Sequence, residues 1–186
     1  MKRKDFRSND TFAQDIKFTT MVEKHLWNLF CQRQLKNIPH QSIDHGVDNN
    51  GDVVSVSNKA ADYCLKYQHN NKIYTLLLEI KFAPTSSKAV FKVSDLESYI
   101  QQKANILLFY NSGSTNLKKP KDYQLAAHLA KIDSNLPYLY YTIIDPATIQ
   151  RLLSYYQAEP IYFMGGKPGI IMPQSDFNKF FSCYKL

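Results

Sequence analysis

The stretch from Ala60 to Phe82, AADYCLKYQHNNKIYTLLLEIKF, constrains this chain more than any other. Two runs rich in strand-forming residues flank a polar centre, His69-Asn70-Asn71-Lys72, which predicts an antiparallel hairpin turning at the asparagines. The second run, Ile73 to Ile80, is almost purely apolar, yet it carries Glu79 and is followed by Lys81. Charge at the end of a buried strand is costly unless something compensates it. Folding at Asn70 leaves Asp62 and Glu79 at nearly equal distances from the turn, so they become cross-strand neighbours, with Cβ atoms roughly 5 Å apart. Glu79 and Lys81, two apart on one strand, share a face. This register gathers Asp62, Glu79 and Lys81 at one place, and a slip of one residue would scatter them.

Two adjoining carboxylates repel unless one is protonated or a cation lies between them. A hard cation such as Mg²⁺ takes oxygen ligands and keeps several waters. A lysine beside it orients or deprotonates a water, or steadies a developing negative charge. That chemistry suits phosphodiester hydrolysis. An acid two residues before a lysine is common by chance; Asp15-Ile16-Lys17 is another, in a polar helical context with no strand before it. The plainer explanation of Glu79 and Lys81 is an ion pair finishing a surface hairpin.

Asp62, then Glu79-Ile80-Lys81 at the end of an apolar strand, resembles the core of the PD-(D/E)XK nuclease superfamily, which includes restriction endonucleases, Holliday junction resolvases and phage or recombination exonucleases. The likeness covers roughly Met21 to Tyr110; it departs from the family pattern at Ala61, which stands where the name-giving proline would be. The resemblance implies a restriction-endonuclease-like α/β core, a central mixed β-sheet flanked by helices in the order αβββαβ. It implies that Asp62 and Glu79 hold Mg²⁺ (or Mn²⁺) and that Lys81 positions the attacking water. An acid on the first helix often joins such a site, which makes Glu23 a supporting candidate. So does a glutamine or lysine on the helix after the acid-x-Lys strand, where Gln101, Gln102 and Lys103 all qualify by position. The activity implied is a metal-dependent DNA endonuclease, most simply of restriction type and acting as a homodimer, with a junction resolvase or phage recombination nuclease as the alternative. A different class keeps the fold without chemistry: a nucleic-acid-binding or assembly protein whose acids are structural.

The rest of the chain sets bounds. Its 186 residues suffice for a single domain spanning 1–186 with a real core. A net charge of +7 fits a polyanionic partner. Three widely spaced cysteines, Cys31, Cys64 and Cys183, argue for a reducing compartment and against a disulfide scaffold or zinc site. No apolar stretch follows Met1-Lys2-Arg3-Lys4 and no run reaches membrane-spanning length, so a cytoplasmic protein without a membrane partner is expected. No dinucleotide fingerprint, nucleophile elbow or phosphate-cradling loop is visible, which leaves cofactor-dependent metabolic enzymes without support.

In chain order, a basic arm (Met1–Asp10) precedes a helix over about Thr11 to Lys36, with His25 on its apolar face as a core histidine. Asn37 to Asn58 reads as loop, with a short strand at Asp52–Val56 and with Asp44 or Asp52 as substitute ligands should Asp62 fail. Thr85 to Lys92 reads as a basic loop leaving the site, and Lys88, Lys92, Lys118, Lys119 and Lys121 are the candidates for phosphate contact. Ser94 and Glu97 have capping-box spacing, so a helix starts there. Ile106 to Tyr110 reads as a buried strand. A helix at Asp122–Ile132, a strand at Tyr138–Ile144, a helix capped by Asp145-Pro146, a hairpin with a glycine-rich tip at Gly165–Gly169 and a last helix from Ser175 complete the reading.

Overall fold

Asn70 and Asn71 both adopt left-handed backbone, with φ of 49° and 60°. A two-residue hairpin turn whose twist matches that of its strands requires positive φ at both positions, and asparagine tolerates it better than most residues. That turn joins β2 (Tyr63–His69) to β3 (Lys72–Ala83) in a computed structural model that describes residues 9–45, 61–161 and 166–186. The basic arm at Lys2, Arg3, Lys4 and Arg7, the expected strand Asp52–Val56 and part of the glycine-rich tip lie outside the described residues. The register pairs Tyr63 with Leu78 and His69 with Lys72.

β3 is also the seam of a mixed sheet. β1 (His40–Asp44) pairs antiparallel with β2, and β5 (Asn105–Asn111) runs parallel to β3, with Glu79 beside Ile106 and Lys81 beside Leu108. The antiparallel strands β6 (Leu139–Ile144) and β9 (Tyr184–Lys185) complete the order β1-β2-β3-β5-β6-β9. A parallel neighbour needs a crossover, here made by β4 (Lys88–Lys92) and α2 (Val93–Gln102). Every residue of β5 is buried, because helices cover both faces of the sheet.

On one face α1 (Asn9–Gln34) and α3 (Leu125–Ser134) bury Phe18, Val22, Leu26, Trp27, Phe30 and Ile132 against Tyr63, Leu65, Leu78 and Ile80. On the other face α2, α4 (Pro146–Tyr155) and the short α5 (Phe177–Phe180) bury Leu96, Ile149, Leu152 and Phe177 against Ala83, Ile106 and Leu108. A second sheet of order β4-β8-β7, with β7 at Glu159–Ile161 and β8 at Lys167–Pro173, packs on this side too. Each fully buried Leu or Ile stabilises the fold by about 1.5–3 kcal/mol. The architecture is mixed α/β, a central mixed sheet flanked by helices. Among the described residues no helix is long and apolar enough to cross a membrane.

Several expectations need correcting. The basic loop Thr85–Lys92 contains a strand: β4 pairs with β8 because Ala89 and Phe91 alternate into the core. The loop-rich stretch after Asn37 contains β1, which is exposed at all five positions and so carries no apolar alternation. The Ser94–Glu97 capping box does not form; α2 begins at Val93, and Ser94 Oγ donates to Asp95 instead, at 3.3 Å. The last helix is four residues long and gives way to β9, so Tyr184 lies on a strand. The Asp145 cap does form, its carboxylate accepting from the Thr148 N–H at 2.7 Å. His25 is half-buried rather than core, with Nε2 2.7 Å from Asp133 Oδ1 of α3.

Candidate functional site

β2 and β3 part company at Leu78. Beyond it β3 continues from Glu79 to Ala83 with β5 on one side and no β2 partner on the other. The Ile80 N–H is therefore short of a ladder acceptor, and a buried N–H without a partner is costly. Asp62, one residue before β2, supplies the acceptor: its Oδ2 takes the Ile80 N–H at 2.8 Å. The backbone C=O of Asp62 meanwhile accepts from the His45 N–H at 2.9 Å, which anchors the end of β1. Asp62 and Glu79 each lie one residue beyond Tyr63 and Leu78, the last pair of the register.

Both acids are buried, Asp62 at 4% exposure and Glu79 at 8%. Glu79 Oε1 accepts from Lys81 Nζ at 2.8 Å and from the Tyr99 hydroxyl at 2.7 Å. Tyr99 comes from α2, whose inward stripe is Leu96 and Tyr99. Burial pushes the Tyr99 hydroxyl well above its usual value against the pull of Lys81, and Glu79 adds to the rise, so Tyr99 stays a donor. The Lys81 ammonium also lies 6.0 Å from the centre of the Tyr99 ring.

Glu23 of α1 acts on the same ammonium. It is 4% exposed, one helical turn before Trp27, whose indole stacks on Tyr63 with ring centres 4.4 Å apart. Burial disfavours the Lys81 ammonium, but Glu79, Tyr99, Glu23 and Asp62 outweigh that and hold its pKa well above the usual lysine value. Burial, then Asp44, Asp62, Cys31 and Glu23, likewise push the Tyr63 phenol up. Three buried carboxylates thus act on the Lys81 ammonium.

The other residues expected at the site lie elsewhere. Gln101 is exposed, about 200° around α2 from Tyr99 at the helical pitch. The Gln102 side chain donates to Ser98 Oγ at 2.8 Å, and Lys103 forms the exposed, left-handed end of the helix with φ 54°. The α2 side chain that reaches Glu79 is Tyr99, which sequence reasoning missed. Its signal was its place on the apolar stripe with Leu96, which reads as core. Asp44 is exposed at the end of β1 and pairs with Lys24 at 3.5 Å; Asp52 is outside the described residues.

Of the basic candidates, Lys88, Lys118 and Lys121 are exposed. Lys92 is paired with Asp95 at 3.7 Å. Lys119 is held by Asp15 and by the Tyr123 hydroxyl, so the acid of the Asp15-Ile16-Lys17 triplet serves to tie the loop to α1.

The donor chemistry of Glu23, Asp62 and Glu79 is all oxygen, which suits a hard cation such as Mg²⁺ or Mn²⁺. Among the described residues, no group of three or more His, Cys, Asp and Glu is arranged to hold a metal ion. A site of one or two carboxylates completed by water and substrate phosphate is the ordinary mode for Mg²⁺ and fits the Asp62–Glu79 pair. No family model, curated protein or solved structure matches this chain.

Proposed function

We propose that the chain is a metal-dependent nuclease with a restriction-endonuclease-like core that hydrolyses phosphodiester bonds in DNA. The observation that carries this reading is that Asp62 caps the Ile80 N–H between Glu79 and Lys81, which are themselves paired, and that both acids act on the Lys81 ammonium. The order α1-β1-β2-β3-α2-β5, with β4 inserted and β5 parallel to β3, supports the same reading. Asp62 and Glu79 would hold Mg²⁺ or Mn²⁺, which when bound neutralises phosphate charge and activates a water.

This chain's own residues do the rest. Tyr99 fixes the Glu79 carboxylate by donating to Oε1. Lys81 is kept an ammonium by the surrounding acids, so it orients the attacking water and steadies charge building on the phosphate rather than accepting a proton. Glu23 deepens the negative field that makes a cation welcome. A restriction-type endonuclease acting as a homodimer is the simplest form; a junction resolvase or phage recombination nuclease would use the same residues.

The test is incubation with supercoiled plasmid and with a four-way junction, in Mg²⁺, Mn²⁺ or EDTA. Nicking that needs the metal and is lost in Lys81→Ala and Glu79→Gln supports the enzyme. Binding without cleavage in either metal refutes it and leaves the non-catalytic binding module.

A further inference from the structure

Away from the acids, α4 and α5 form an open groove of about 500 Å³ lined by Gln150, Arg151, Ser154, Tyr155, Lys179 and Phe180. Its charged lining is cationic. Lys179 Nζ is paired with Asp176 Oδ1 at 2.7 Å, and Asp176 Oδ2 accepts from the Tyr156 hydroxyl at 2.7 Å, so Arg151 is the stronger of the two cations in the lining. The Arg151 guanidinium lies 5.7 Å from the centre of the Phe180 ring, which holds it at the rim. Tyr155 is 63% exposed. Its ring meets Tyr156 at 5.0 Å and 72° and Phe180 at 5.1 Å and 71°, so neither neighbour stacks on it in parallel.

A large ring left in water beside an arginine, with a lysine shared with Asp176 nearby, is matched by a ligand with a flat apolar face and negative charge next to it. We infer that this groove binds a single-stranded stretch of nucleic acid: a base stacks on Tyr155, and Arg151 and Lys179 take the flanking phosphates. A base inside a duplex has both faces covered by its neighbours, whereas an unpaired base offers one to the ring. The net charge of +7 favours such a partner. Choosing nucleic acid over another anion rests on the nuclease reading above; the groove's geometry does not.

The experiment is fluorescence anisotropy with a short labelled oligothymidylate and with a duplex of equal length, in EDTA and over a range of salt. Tyr155→Ala should weaken single-strand binding by at least about fivefold, while Tyr155→Phe keeps it. Arg151→Ala should weaken it and lower the slope of log affinity against log salt by about 0.7. The duplex should bind more weakly than the single strand and be indifferent to Tyr155→Ala. Melting temperatures equal to wild type confirm that the variants are folded. Unchanged affinity in folded Tyr155→Ala and Arg151→Ala overturns the inference, as does equal loss of duplex and single strand in Tyr155→Ala. Binding is read without metal, so the two ideas fail separately: groove variants that lose binding uphold the groove even if wild type cleaves nothing.

Discussion

Replacing Lys81 by methionine removes an ammonium on which three buried acids act and keeps most of the side chain's apolar length. Lys81 Nζ stands 2.8 Å from Glu79 Oε1, with the two side chains 30% and 11% exposed. An exposed ion pair contributes up to about 1 kcal/mol, whereas stripping a buried charge of its partner costs about 3–5 kcal/mol. The pair lies between those limits, so Lys81→Met should cost about 2–3 kcal/mol. For a domain of this size that is a fall in Tm of about 5–10 °C. The pH dependence follows from the raised pKa of Lys81, whose usual value is 10.5. The ammonium's stabilisation is fully present below that value and is lost only as pH rises through the higher folded one. The deficit of the variant should therefore be the same at pH 6 and at pH 8. A divalent cation offers the acids what the variant lacks, so millimolar Mg²⁺ should raise the Tm of Lys81→Met more than that of wild type. Thermal melts followed by circular dichroism, in EDTA and in Mg²⁺, read both effects. A variant that melts at or above the wild-type temperature in EDTA refutes the claim that these acids depend on Lys81.

Three further outcomes follow from particular contacts. Tyr99→Phe deletes one donor to Glu79 and should cost about 1.5–3 kcal/mol in urea unfolding, with plasmid cleavage reduced in parallel; equal stability would mean that water replaces the hydroxyl. Asp62→Asn keeps an acceptor for the Ile80 N–H whereas Asp62→Ala orphans it, so the alanine variant should be less stable by about 1–3 kcal/mol while both lose cleavage; identical stabilities would dismiss the ladder-capping role. Gly169→Ala would place a methyl 2.5 Å from Ile161 Cγ1 and 2.9 Å from the Phe91 carbonyl, so the β4-β8-β7 sheet should loosen, seen as faster amide exchange in those strands with little change in β5.

The hairpin was legible because its signals agree: apolar runs on both sides, turn residues between them and a fixed count to either side of Asn70. The alternation of two then follows, and with it the meeting of Asp62, Glu79 and Lys81. β5 was legible for the opposite reason, since a strand buried on both faces is apolar throughout. β1 was not, because His-Gln-Ser-Ile-Asp has no buried face and is a strand only through its pairing with β2. β4 was hidden by its flanking lysines, although Ala89 and Phe91 carry the pattern between them. Tyr99 was invisible as a site residue: its ring belongs to the core and only its hydroxyl to the acids, a division that depends on where α2 lands on the sheet. Lys119 read as a free cation because its partner, Asp15, is far away in sequence.

The structural needs of the hairpin account for some of these residues but not for all. Asp62 earns a place by capping the Ile80 N–H, and Glu79 with Lys81 would close an ordinary strand end. Glu23 is a further buried acid, on a helix whose neighbouring turn is occupied by Trp27 in the core. An apolar residue would pack there without the desolvation cost of a carboxylate. Nor does structure alone ask for a tyrosine at 99, since phenylalanine fills the same space. Glu23 adds to the field that acts on Lys81, and the Tyr99 hydroxyl holds one carboxylate still. Fixed, crowded acids beside a permanent ammonium are what binding a cation and a phosphate together demands. If Glu23→Leu stabilises the fold and leaves cleavage intact, that acid serves no chemistry and the case for catalysis falls back on Asp62, Glu79 and Lys81 alone.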